Sequence, residues 1–370
     1  MFIVENKSLD VLLNVLKSEG YKTIGPTIKE SAIVYDEIES LNDLPIGWTD
    51  EQDDAYYRII KRNDDALFAY NVGPASWKKY LFPPRMKLIE FKKESKKFEV
   101  IENNTPDTRY AFLGVRSCEL NAIFIQDKVF NNGEYVDSNY KNLRENIFII
   151  AVNCAKAGGT CFCVSMKTGP KAKEGFDLAI TEMIKDNEHK FLIESGSEKG
   201  KKILDKLPKK DADDKEIKEA DKILKETEKQ MGRKLDTDGI KELLQGNPEH
   251  PQWQDVAKRC LTCANCTMVC PTCFCSTMED ITDVTGDHAE RWRKWDSCFT
   301  FEYAKVAGGN FRPSPPARYR QWMTHKLASW IDQFGTSGCV GCGRCITWCP
   351  AHIDITKEAE AIRSKSYNPI

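Results

Sequence analysis

Two copies of one cysteine spacing constrain this chain more than any other feature: Cys260-Leu-Thr-Cys263-Ala-Asn-Cys266-Thr-Met-Val-Cys270-Pro271 and Cys339-Val-Gly-Cys342-Gly-Arg-Cys345-Ile-Thr-Trp-Cys349-Pro350. Each is the C-x2-C-x2-C-x3-C-P run of bacterial-type 4Fe–4S sites. Three thiolates at three-residue spacing wrap a turn of chain around three corners of one cubane, and the fourth points away. In two-cluster ferredoxins that fourth cysteine serves the other cluster. The spacing therefore assigns Cys260, Cys263, Cys266 and Cys349 to one cluster, and Cys339, Cys342, Cys345 and Cys270 to its neighbour. The proline after each run ends the local turn, and Gly341 and Gly343 let backbone amides approach sulfur, which helps set a potential.

Zinc is the plainer use of such cysteines, but zinc sites pair two short arms rather than a triple run closed by Cys-Pro. Fifteen cysteines in 370 residues would fit a disulfide framework only in a small secreted protein. This chain opens on Met1-Phe-Ile-Val-Glu-Asn-Lys7 with no apolar signal core, so a reducing, cytoplasmic setting is expected. Hydrophobic residues make up 41% and charged residues 30%, with a formal net charge of −2. The longest strongly apolar run, Ile147 to Val152, is too short to cross a bilayer, so no membrane insertion is expected. A sequence pI near 6.3 lacks the basic excess of a nucleic-acid binder. The local basic stretch Arg291-Trp-Arg-Lys-Trp295 reads instead as a packed, partly solvated helix face.

The expected fold class is α+β: an N-terminal α/β domain followed by a mainly helical dicluster ferredoxin-like domain. Ser8 can cap a helix carrying Leu9, Leu12, Leu13 and Leu16, with Gly20 at its end. Tyr110–Val115 and Ile147–Val152 read as buried strands, Glu119–Phe130 as the helix between them, and Phe176–Ile180 and Lys190–Ile193 as further strands. Residues 197–250 are Lys/Glu-rich, with apolar residues at helical spacing, and read as a connector of solvent-facing amphipathic helices. The expected domains are thus 1–196, 197–250 and 251–370. The long spacer between Cys270 and Cys339 exceeds a compact ferredoxin hairpin, hence the expectation that helices join the two motifs.

Seven cysteines lie outside the paired runs. Cys118, Cys154, Cys161 and Cys163 follow or border two predicted strands and can converge. They read equally as a third 4Fe–4S site or as inert buried thiols. Cys273, Cys275 and Cys298 read as free thiols beside the first cluster, or as three ligands of a cluster with one open position. No Gly-x-Gly-x-x-Gly follows a strand, and no Ser/His/Asp or paired-carboxylate motif stands out among five histidines. The chain has parts for moving electrons and no recognisable catalytic residues of its own.

With these motifs the sequence resembles the β subunit of cytosolic sulfhydrogenase, a NiFe hydrogenase, and the related iron–sulfur subunit of anaerobic sulfite reductase. The resemblance rests on Lys79-Tyr-Leu-Phe-Pro-Pro-Arg85, Gly114-Val-Arg-Ser-Cys118-Glu, Cys161-Phe-Cys163, Phe176-Asp-Leu, His250-Pro-Gln-Trp253, Cys270-Pro-Thr-Cys-Phe-Cys275, Trp295-Asp-Ser-Cys298 and Ala307-Gly-Gly-Asn-Phe-Arg-Pro313, besides both cluster motifs. It implies an electron-conducting component of a hetero-oligomer. A flavin subunit would handle NAD(P)H, and a terminal subunit would reduce protons, sulfur species or, through sirohaem, sulfite. Phe82-Pro-Pro-Arg85 and Cys161-Phe-Cys163 resemble the hydrogenase branch more closely, while Lys201 to Met231 is more Lys/Glu-rich than the family pattern. A structural iron–sulfur scaffold and a catalytic subunit in its own right are the competing classes.

Overall fold

The computed structural model describes residues 1–71, 73–94, 97–102, 108–185 and 188–364. Its N-terminal half is organised by an eight-stranded sheet in the order Lys210–Asp211, Phe2–Glu5, Glu188–Ser195, Leu178–Lys185, Ile147–Val152, Tyr110–Val115, Lys22–Lys29, Ala32–Glu37. The fourth to seventh strands in this order, Leu178–Lys185 to Lys22–Lys29, run parallel and the other pairings are antiparallel. A parallel strand is covered on both faces, so it reads as continuous apolar sequence rather than alternation. Every residue of Ile147–Val152 is accordingly buried. Phe148, Ile150 and Val152 join a core with Leu9, Leu12 and Leu16, while Ile149 and Ala151 join Trp77, Phe112 and Leu120 on the opposite face.

The helix expected behind Ser8 is present as Leu9–Ser18, although the Ser8 side chain makes no capping bond. The expected helix after the first strand runs Ser117–Phe130. In the charged connector, Asp214–Lys229 buries Ala220 and Leu224. Ala220 joins Ile3, Met183 and Leu192 of the sheet in one apolar cluster.

The dicluster region holds a β-hairpin besides its helices. Ser276–Thr282 and His288–Trp295 form a hairpin that pairs with Arg85–Glu94 and, through it, with Lys97–Glu102. The basic stretch Arg291 to Trp295, expected on a helix, is therefore a strand. Aromatic rings and long cationic stems pack well on a pleated, half-exposed surface. Arg85 stacks 4.2 Å from the Trp292 ring centroid, and Arg291 pairs with Asp280 at 2.7 Å. The strand lies between its own hairpin partner and a strand some 200 residues earlier, and no local window contains that second partner. Among the described residues, no helix is long and apolar enough to cross a membrane.

Candidate iron–sulfur sites

The two cysteine runs adopt one backbone. Thr262 and Ala264 stand at φ 50° and 67°, and Gly341 and Gly343, at the matching places, stand at 66° and 74°. These left-handed residues curl each loop so that the amide two residues after the first cysteine points at its sulfur. Thr262 N donates to Cys260 Sγ at 3.4 Å and Gly341 N to Cys339 Sγ at 3.5 Å. From Ala264 and Gly343 the chain enters the short helices Asn265–Met268 and Arg344–Thr347.

Cys260, Cys263 and Cys266 border a cavity together with Cys349, the fourth cysteine of the other run, and with Cys345. The rings of Phe299, Tyr319 and Trp322 complete its walls. Tyr319 Oη and Trp322 Nε1 are buried without a partner among the described residues. Buried donors are rarely left unpaired. Sulfur-rich anionic cargo in this cavity would satisfy both, so the residues fit the group.

Cys339, Cys342, Cys345 and Cys270 are mutual neighbours: burial, then repulsion from Cys339, Cys342 and Cys270, holds the Cys345 thiol well above its ordinary range. Burial pushes Cys339 up to about 12. Such thiols are protonated until a metal displaces the proton. Beside Cys270 stands Lys326, almost wholly buried, whose Nζ lies 3.2 Å from Cys270 Sγ and 3.4 Å from Cys273 Sγ. Lys78, also buried, donates to Cys273 O at 3.2 Å and sits 3.8 Å from the Trp295 ring centroid. Among the described residues neither ammonium is within ion-pair distance of a carboxylate. Buried charge is expensive unless paired, and thiolate or cluster sulfur is the anion at hand.

Cys118, Cys154, Cys161 and Cys163 all border a second cavity, and Cys342 borders it too. Cys275 and Cys298 meet at the mouth of the hairpin, where Asp296 N donates to Cys275 O at 2.8 Å. A hydrogen bond from Cys298 brings the Cys275 thiol to about 6. Cys273 bonds instead to Cys270, so these three cysteines sit in contact pairs beside the paired runs.

Sequence reasoning missed the polar frame. Glu119, buried, accepts from Arg344 Nη2 at 2.6 Å, Trp77 Nε1 at 3.2 Å and the Tyr35 hydroxyl. Arg344 lies inside the second run, and Arg116 and Glu119 lie in the Gly114–Glu119 motif, so a signal existed for these. Lys78 and Lys326 carried none.

A family described as a 4Fe-4S dicluster domain matches residues 259–353. That span holds both runs, and the chain is an iron–sulfur protein of the 4Fe–4S kind. The β subunit of sulfhydrogenase 2 from Pyrococcus furiosus is 32% identical over 355 residues, covering 95% of this chain and 94% of that one. The chain belongs to the sulfhydrogenase β-subunit family. No solved structure matches it.

Proposed function

We propose that this chain is the electron-relay subunit of a cytoplasmic sulfhydrogenase-like complex, carrying single electrons between a flavin subunit that handles NAD(P)H and a terminal NiFe hydrogenase subunit. Cys260, Cys263, Cys266 and Cys349 would hold one 4Fe–4S cluster, and Cys339, Cys342, Cys345 and Cys270 the other. Residues 1–196 frame the relay, 197–250 connect, and 251–370 carry the two clusters. The observation that carries this reading is the shared border of the first cavity: Cys345 of the second run lines it beside the thiols of the first. Two centres so close suit electron transfer, which a scaffold would not need.

When bound, each cluster supplies a one-electron couple. The protein's part is to fix the separation, exclude water and tune the couples. Aromatic walls around the first cavity lower the local dielectric, and amides and ammoniums directed at sulfur stabilise added negative charge. Cys263 is exposed and Leu261 is 64% exposed, which leaves the first loop open to a partner subunit.

Cys263→Ala or Cys342→Ala in the intact complex is expected to abolish coupling of NAD(P)H oxidation to terminal reduction while flavin-dependent dye reduction persists. Unimpaired coupled turnover in both variants would rule out the relay. Anaerobic affinity purification with mass spectrometry then separates the branches: hydrogenase subunits support this reading, and a sirohaem subunit in their place makes the chain a sulfite reductase relay.

A further inference from the structure

We infer that Cys118, Cys154, Cys161 and Cys163 form a third polynuclear iron–sulfur site, and that the second cysteine run lies between it and the first, so that the three centres stand in line.

The fold builds this site beyond the carboxyl ends of two parallel strands. Tyr110–Val115 and Ile147–Val152 are adjacent parallel strands. Cys118 and Cys154 follow those two ends directly. Cys118 also falls in the first turn of the fourteen-residue helix Ser117–Phe130, whose amino end favours negative charge. Cys161 and Cys163 come from the loop that closes the cavity, and all four thiols border it.

The polar atoms around the cavity point to an anionic occupant. Arg116 is 4% exposed and its Nη2 is satisfied by Phe68 O and Tyr70 O at 2.8 and 2.9 Å, but its Nε has no partner among the described residues. Asn71 Nδ2 and Gln52 Nε2, on the same wall, make no hydrogen bond of ordinary geometry and face the buried Asp50 carboxylate. Asn71 Oδ1 lies 3.9 Å from Cys161 Sγ, and the reversed amide would present its donor to that sulfur. An orphaned guanidinium donor and a reversible amide among four thiols are what a cluster's sulfides and thiolates would occupy.

A single zinc ion does not fit. Four sulfurs at about 2.3 Å from one ion lie about 3.8 Å apart. Among the described residues, the only three donors of the Cys, His or carboxylate type within reach of one ion are Glu90, His288 and Glu290. That acidic group is already neutralised, Glu90 by Lys87 at 2.7 Å and Lys92 at 3.0 Å. Among the described residues no three of these four thiols lie within reach of one ion, and a polynuclear core spans a wider spacing.

The order follows from the second run. Cys345 borders the first cavity and Cys342 borders this one, so the loop between them separates the two. The Thr160–Thr168 segment is fastened to the start of the second run. Phe162 N donates to Gly341 O at 2.9 Å and Thr168 Oγ1 to Val340 O at 2.6 Å. An electron entering at the exposed first loop would thus pass the second run before reaching the N-terminal domain.

Iron and acid-labile sulfide counted on the anaerobically isolated full-length chain test this. About twelve iron atoms per chain are expected, four per cubane; about eight overturn the inference and leave the two-cluster relay standing, and fewer overturn both. Cys161→Ser and Cys154→Ala are each expected to remove about a third of the iron while the electron paramagnetic resonance signals of the other two centres persist. Full iron retention in both variants would equally overturn the site, and the wild-type count decides the matter should either variant fail to fold.

Discussion

The loops Cys260–Cys266 and Cys339–Cys345 share a spacing and a backbone, yet position by position they face different surroundings. Leu261 is 64% exposed where Val340 is 2% exposed. Asn265 makes one long bond to Trp348 O, 3.4 Å, where Arg344 is buried against Glu119. Left-handed Thr262 and Ala264 in the first loop correspond to Gly341 and Gly343 in the second. A non-glycine residue in that conformation costs about 1–3 kcal/mol, and the first loop tolerates it because no chain segment lies against those Cβ atoms closely enough to forbid them. A Cβ on Gly343 would stand 2.3 Å from Thr160 O, and one on Gly341 would stand 2.6 Å from Phe162 O. Glycine is thus required twice in the second loop, by dihedral angle and by the N-terminal domain packed over it. One loop faces outward, and the other is the joint between the two halves of the molecule.

The largest break in this comparison should come at the matching pair Arg344 and Asn265. Removing one partner of a buried ion pair leaves the other charge stranded, so Arg344→Ala should cost about 3–5 kcal/mol, and Asn265→Ala at most about 0.5 kcal/mol. Chemical denaturation of the iron-loaded protein measures both; similar costs would mean the two loops are equally enclosed. Exchanging the turn residues comes next. Gly343→Ala should lose about 2–4 kcal/mol through overpacking and left-handed strain, while Thr262→Gly should gain up to about 1 kcal/mol, strain relief being partly offset by unfolded-state entropy. A loss in both variants would contradict the argument from packing. The smallest effect concerns charge. Lys326→Met deletes the ammonium beside Cys270 and should make one couple at least tenfold harder to reduce, about 59 mV for one electron. Redox titration followed by electron paramagnetic resonance should find one centre moved and the others unmoved; a uniform shift or none would show that Lys326 does not distinguish the two runs.

The cysteine register of both runs, the buried strands Tyr110–Val115 and Ile147–Val152 and the helix Leu9–Ser18 were legible because each is a local pattern: fixed ligand spacing, continuous burial, and a 3.6-residue stripe. The same local view misread Arg291 to Trp295, whose conformation depends on a partner at Arg85–Glu94. It also left Cys118, Cys154, Cys161 and Cys163 open between cluster and inert thiols, since their convergence depends on strand order. Lys78 and Lys326 were invisible for a related reason: their placement beside sulfur comes from elements that meet only in the folded chain.

By itself, then, the sequence determined which residues can share a metal, because three thiols within seven residues are held together by covalent reach. It also carried the family resemblance, through several short motifs. Only the tertiary structure decided which run is buried, what cations stand beside it and that Cys118, Cys154, Cys161 and Cys163 border one cavity. Those properties depend on contacts between segments 50 to 270 residues apart, such as Lys326 with Cys270 and Arg344 with Gly73. Covalent geometry sets the first kind of proximity, whereas the second exists only once the sheet has ordered its strands and the hairpin has docked.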